Sequence, residues 1–159
     1  VIETTYELVK VGFVEETGML EENYFEDGFE LARTPEGRPI VFTQKDVREM
    51  QLAKSAVRAG LETLLKRYGI TYEDVERVFL AGGLGYNADL EKMVGIGMLP
   101  EELRAKTTAI GNASLAGAAL YLTTSDAEER LKKLVEISTE VELSSDRDFN
   151  DFYMEYMFF

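Results

Sequence analysis

Cysteine, histidine and tryptophan are absent from the 159-residue chain. Without cysteine, these residues can form no disulfide, thiolate nucleophile, zinc finger or cysteine-ligated iron–sulfur cluster. Without histidine, a His-based catalytic triad is excluded as well. Hard-metal sites built from oxygen ligands stay open. Basic residues are scarce, 17 against 30 acidic, for a net charge of −13. Such a chain repels a phosphate backbone and an anionic membrane surface, so neither nucleic acid nor membrane is expected as a partner. A basic protein partner and simple solubility explain the charge equally well. No apolar run approaches the ~20 residues of a membrane helix, and no signal-peptide pattern opens the chain. What remains, 45% hydrophobic and 30% charged residues, is a globular balance at the length of one domain. The first residues already read as the inside of a helix, as expected of a piece of a longer polypeptide.

Ile2, Tyr6 and Val9 at helical spacing predict a helix over 1–10, ended near Gly12. A Thr17-Gly18 turn, an aromatic and acidic extended stretch over 24–32, the loop Thr34-Pro35-Glu36-Gly37-Arg38-Pro39 and a strand over 40–42 follow as a hairpin or irregular excursion. Thr43-Gln44-Lys45-Asp46 has the form of a capping box and opens a helix expected to reach Tyr68, with Gly69 as its cap. Its apolar face is expected to hold Val47, Met50, Ala53, Val57, Leu61, Leu64 and Leu65. Gly60 inside it costs about 1 kcal/mol relative to Ala and signals a close approach by another element. Apolar strands are expected over 78–81 and 107–110, each followed by glycine and a helix, the first of a kind covered on both faces. Helices are expected over 89–94, 113–122 (after Asn112), from a capping box at Ser125-Asp126-Ala127-Glu128, and over 148–158, with a last strand at 141–143. The alternation after residue 43 indicates one α/β domain with a mainly parallel sheet.

The candidate chemistry lies at the strand ends. Phe79-Leu80-Ala81-Gly82-Gly83-Leu84-Gly85 is a strand–glycine–helix passage of the kind at which open α/β sheets bind ligands. A tight turn without a ligand is the competing reading. It is neither a Walker loop nor a Rossmann fingerprint. Ile110-Gly111-Asn112-Ala113-Ser114 repeats the design, with Asn112 either capping its helix or facing the same crevice. Gln51, Lys54, Ser55 and Arg58 share one face of the long helix, a solvated face or a wall of donors for a nucleoside. The aromatic run from Phe149 to Phe159 is too apolar for a free tail and is expected to dock on the core or a partner. No carboxylate pair stands out for acid–base work, and no catalytic residue is assigned.

Residues 1–14, the stretch Phe42-Thr43-Gln44-Lys45-Asp46-Val47-Arg48-Glu49-Met50-Gln51-Leu52-Ala53-Lys54, the two glycine passages and the final Met157-Phe158-Phe159 together resemble one family over nearly the whole chain. It is the C-terminal ATPase domain of the reductive activators of corrinoid proteins, within the acetate and sugar kinase, heat-shock chaperone and actin superfamily. The resemblance implies a ribonuclease-H-like or actin-like half-domain, incomplete at its N-terminal side, with 1–159 as the C-terminal part of the ATPase domain. It implies Mg-ATP as the ligand of the complete domain, with Gly82, Gly83, Leu84 and Gly85 along the nucleoside and Gln51, Lys54, Ser55 and Asn112 as further nucleotide contacts. It implies an iron–sulfur cluster in a separate N-terminal ferredoxin-like domain, and reduction of cob(II)alamin to cob(I)alamin on a partner corrinoid protein in an anaerobic cytoplasm.

Departures from the family pattern shape the remaining expectations. The Gly-Ser-Gly phosphate loop expected before Val1 is missing, as is the other half of the ATPase domain. This piece alone is therefore expected to bind no cofactor, to hydrolyse no ATP and, lacking the first strands of its own half, to expose a sheet edge that invites self-association. A sugar or acyl kinase piece of the same superfamily, or a non-enzymatic interaction module, is the alternative.

Overall fold

The long helix organises the molecule. In the computed structural model, which describes every residue except the side chains of Leu84 and Tyr86, Thr43 accepts from the Asp46 amide while the Asp46 carboxylate accepts from the Thr43 amide at 2.7 Å, a closed capping box. The carboxyl of Asp46 is held below its usual range by the Thr43 hydroxyl and then the Thr43 amide. The first elements are α1 (Ile2–Lys10), a 3-10 turn (Glu22–Tyr24), β1 (Phe29–Arg33), β2 (Pro39–Phe42) and the long helix α2 (Gln44–Tyr68), ended by Gly69 at φ +71°. Then come β3 (Val78–Ala81), α3 (Gly83–Asn87), α4 (Leu90–Gly95), α5 (Glu101–Arg104), β4 (Thr107–Gly111), α6 (Ala113–Thr123), α7 (Ala127–Ile137) and α8 (Arg147–Glu155).

The architecture is α/β, with two small sheets. β1 and β2 form an antiparallel hairpin in which Phe29 faces Phe42. β3 and β4 pair in parallel, Val78 against Thr107 and Leu80 against Ala109, and the register slips at Ala81 against Gly111. Around α2, apolar side chains form two buried clusters. One holds Ile2, Met50, Met93, Ile96, Met98, Leu99 and Leu103. The other holds Leu8, Val14, Leu20, Phe42 and Val47. α1 feeds both because Ile2, Thr5 and Leu8 recur every third residue on its buried side.

Several expectations need correction. Residues 141–143 are not a strand; this segment runs along α2, where the Leu143 side chain lies 3.6 Å from the place a Cβ on Gly60 would occupy. The close neighbour of Gly60 is therefore a side chain. The capping box expected at Ser125-Asp126-Ala127-Glu128 is not formed: α7 starts after Asp126, which makes no side-chain cap, its carboxylate accepting instead from Arg130 at 2.8 Å. The short helices α3 and α5 carry no periodic signal long enough to announce them. The parallel pair is covered on one face only. Val78 and Leu80 pack on the first cluster, whereas Phe79 is 58% exposed and Ile110 46% exposed. α6 packs chiefly against α7, and no residue over 112–145 is buried.

Candidate functional site

The glycine passage after β3 sits beside the end of β4, joined by the Gly82 amide donating to the Gly111 carbonyl at 2.8 Å. Its glycines have different reasons for being glycine. Gly82 adopts φ +93°, a conformation that side chains strain. A Cβ on Gly85 would fall 2.5 Å from Leu80 Cγ. Gly83 has neither constraint: its φ lies outside the left-handed region, and among the described residues no neighbouring element brings an atom within 4 Å of an added Cβ. Gly83 lines a cavity of about 290 Å3, with Val1, Ile2 and Glu3 of the α1 entry, Met50 and Ala53 of α2, and Asn87, Ala88 and Met98. No side chain caps α1 at this rim. Asn112 caps α6 through its Oδ1, which accepts from the Leu115 amide at 3.0 Å, so its cap role is realised. The Leu84 side chain lies outside the described residues.

The polar face of α2 goes elsewhere. Gln51, Lys54 and Ser55 are buried, while Ala53 and Val57, assigned above to the apolar face, are exposed, as is Leu64. The inversion has a physical cause. The segment 156–159, following α8, lies against α2 and brings backbone carbonyls that need donors in a buried place. Lys54 Nζ donates to the Tyr156 carbonyl at 2.8 Å and to the Phe158 carbonyl. Ser55 Oγ donates to the Tyr156 carbonyl at 2.7 Å, and Gln51 Nε2 donates to the Met157 carbonyl at 2.9 Å and the Thr17 carbonyl at 3.1 Å. Gln44 extends the same row, Nε2 donating to the Gly18 carbonyl and Oε1 accepting from the Leu20 amide, both at 2.7 Å. Burial, and then the nearby charge of Arg58, pulls the Lys54 ammonium down to about 8. The Phe159 ring lies 5.1 Å from that ammonium.

Arg58 completes this clasp. Its guanidinium lies 4.6 Å from the Tyr156 ring, its Nε donates to Glu62 Oε1 at 2.7 Å, and its Nη2 donates to the Tyr72 hydroxyl at 3.1 Å. Tyr72 in turn donates to the same Glu62 oxygen. Burial and that carboxylate hold the Tyr72 phenol well above its usual range. The expected site residues therefore separate into two groups. Gly82, Gly83 and Gly85 lie together in the passage after β3, and of the three Gly83 lines the cavity. Gln51, Lys54 and Ser55 occupy the adjacent face of α2 and bind the chain's own backbone. Sequence reasoning missed Met50, Ala53, Ala88 and Met98 as cavity walls, because small and apolar side chains carry no chemical signature. The 156–159 partner was half visible in a tail too apolar to be free, whereas the row of donors on α2 reads from the sequence as facing solvent or a nucleoside. No group of acidic residues able to hold a metal ion occurs among the described residues.

Known proteins resemble this chain in sequence and in fold. A family model described as the C-terminal domain of RACo, the ASKHA domain, matches residues 1–159. The corrinoid activation enzyme RamQ of Eubacterium limosum is 38% identical over 120 residues, covering 76% of this chain and 20% of that protein. The [Co(II) methylated amine-specific corrinoid protein] reductase of Methanosarcina barkeri is 35% identical over 123 residues, 74% of this chain and 22% of its own length. The chain thus spans about a fifth of the length of these relatives. The solved structure of a reductive activator for corrinoid, iron–sulfur protein superposes with a TM-score of 0.88 at 29% identity, over 99% of this chain and 27% of that one. With the match running from end to end, the chain belongs to the family of C-terminal ASKHA domains of the reductive activators of corrinoid proteins.

Proposed function

We propose that this chain is the C-terminal nucleotide-binding portion of an ATP-dependent activator that, as a whole protein, reduces cob(II)alamin to cob(I)alamin on a corrinoid methyl-carrier protein. Family membership supports the activator role. The observation that carries the nucleotide reading is Gly83, the one glycine of its passage whose freedom from a side chain serves neither backbone nor packing and whose open side faces a cavity. At about 290 Å3 and mostly apolar, that cavity fits a nucleoside better than a whole triphosphate. Met50, Ala53 and Met98 would pack on the base, and the backbone at Gly82, Gly83, Leu84 and Gly85 would lie along it. Asn112, through α6, would fix the neighbouring strand end. Gln51, Lys54 and Ser55 donate to the 156–158 carbonyls and so would reach a nucleotide only with that segment displaced. Bound Mg-ATP would supply the hydrolysis energy for the uphill electron transfer.

In this reading the architecture is a ribonuclease-H-like, actin-like half-domain, with 1–159 the C-terminal part of the ATPase domain. The upstream half covers the exposed faces of β3, β4, α6 and α7, a surface that would otherwise pair two copies. The iron–sulfur cluster sits outside these cysteine-free residues. No helix among the described residues is long and apolar enough to cross a membrane, and the reading places the protein in the cytoplasm. The test is calorimetry with Mg-ATP on this chain and on a longer polypeptide that carries it behind the upstream half. Binding is expected in the longer polypeptide and lost in its Gly83→Val variant. Unchanged binding in Gly83→Val would remove the cavity from the nucleotide site.

A further inference from the structure

The face of α2 that holds segment 156–159 and the face that lines the cavity belong to the same turns. Met50 and Ala53 line the cavity, while Gln51, Lys54 and Ser55, interleaved with them, hold the segment. A second link runs through the loop after α4. A Cβ on Gly97 would lie 3.4 Å from Lys54 Nζ, and the next residue, Met98, is a cavity wall. The third link is Phe159, which packs against both buried clusters. The first of those clusters includes Ile2, Met50 and Met98, all of them cavity walls. The Phe159 amide also donates to the Glu16 carbonyl at 2.9 Å, tying in the loop that Gln51 holds through Thr17.

We propose that segment 156–159 is a strap whose docking sets the cavity walls, so that release of the strap and loosening of the cavity are one event. The physical ground is that a row of buried donors cannot stay as it is once its carbonyls leave. Gln51, Lys54 and Ser55 would each be left short of partners, and a buried ammonium with none must find water or move its helix. Movement there is movement of Met50, Ala53 and Met98. Reciprocity follows: a ligand that needs the cavity walls in place favours the docked strap to the same degree. That ligand-linked half rests on the nucleotide reading above; the coupling of strap to walls does not.

Hydrogen exchange on the full chain tests the proposal. In Phe159→Ala and Lys54→Ala, exchange should rise at least tenfold both in peptides covering 156–159 and in peptides covering 2–5 and 96–99, with the α6–α7 peptides over 113–137 unchanged. Deprotection of the strap peptides with wild-type protection at 2–5 and 96–99 overturns it. Should either variant unfold throughout, wild-type exchange at rising sub-denaturing urea decides instead. Strap and wall amides should converge on one opening with one urea dependence, and separate openings overturn the proposal. Mg-ATP added to the polypeptide carrying the upstream half separates the two ideas. No binding at all sinks the nucleotide reading and leaves the exchange result standing. Binding of equal strength with and without Phe159→Ala sinks the coupling alone.

Discussion

The α2–strap half and the α6–α7 half of this molecule solve opposite problems. Around α2, polar groups are inside: Gln51, Lys54, Ser55 and Thr63 are at most 1% exposed, and each has a hydrogen-bond partner. Around α6 and α7, apolar groups are outside: Leu122 is 83% exposed, Ile137 75%, Val135 68% and Leu115 66%. Hydropathy alone would have exchanged the two. The difference teaches that burial in this fold follows the availability of partners. The strap's carbonyls draw polar side chains inward, whereas α6 and α7 pack chiefly on one another.

Truncating one leucine in each half should expose this contrast most sharply. Leu103 is 1% exposed within the first cluster, so Leu103→Ala should cost about 2–5 kcal/mol in urea unfolding. Leu122→Ala, on the open half, should stay within about 0.5 kcal/mol in this chain. In a polypeptide that includes the upstream half, the cost of Leu122→Ala should rise above about 1 kcal/mol if that half covers α6. An unchanged, negligible cost there would mean that α6 stays open in the larger protein.

Within the glycine passage the comparison narrows to neighbouring positions. Gly85→Ala drives a methyl into Leu80 and should destabilise by about 1–3 kcal/mol. Gly82→Ala at φ +93° should cost about 1 kcal/mol through backbone strain. Gly83→Ala should be close to neutral, or slightly stabilising since it lies in α3. Thermal unfolding of the three single variants checks the ranking. A costly Gly83→Ala would give that glycine a structural reason and weaken its claim as a ligand contact.

Local chemistry made much of the fold legible. The capping box at Thr43, the Gly69 stop, the hairpin ending at Phe42 and the two apolar strands each carry their own signal within a few residues, and each is present. What stayed illegible depends on distant partners. The inward turn of Gln51 and Lys54 is dictated by carbonyls about a hundred residues away in sequence. The open face of Phe79 depends on α6 not folding back. The glycine passage was readable as a site because glycines announce themselves. The Met50 and Met98 walls were not, because a methionine reads as core filling wherever it sits.

The buried ammonium of Lys54 ties stability to pH. Its value near 8 lies below the ordinary lysine range, so between about 8 and 10.4 the unfolded chain binds the extra proton and the folded chain does not. Stability should therefore rise with pH across that window, by at most about 1.4 kcal/mol per pH unit. Tyr72 acts the other way above about pH 10, since its raised phenol keeps a proton that the unfolded chain releases. The expected profile climbs from pH 8 and turns over near 10. Lys54→Met should flatten the climb. A climb that survives in Lys54→Met would assign it to another group.

Two ion pairs of identical i,i+4 spacing give the finest contrast between the halves. Arg58–Glu62 in the clasp has side chains 15% and 13% exposed, and Lys132–Glu128 on α7 has side chains 71% and 73% exposed. Glu62→Gln weakens a shared acceptor for Arg58 and Tyr72 where little water can replace it, and should cost about 1–3 kcal/mol. Glu128→Gln should change stability by less than about 0.5 kcal/mol, because water and salt already screen that pair. Repeating both measurements at 1 M salt adds a second axis. The small Glu128 effect should vanish there and the Glu62 effect persist. Equal salt sensitivity would mean that the clasp is as wet as the surface, and that burial of its polar row is not what separates the two halves.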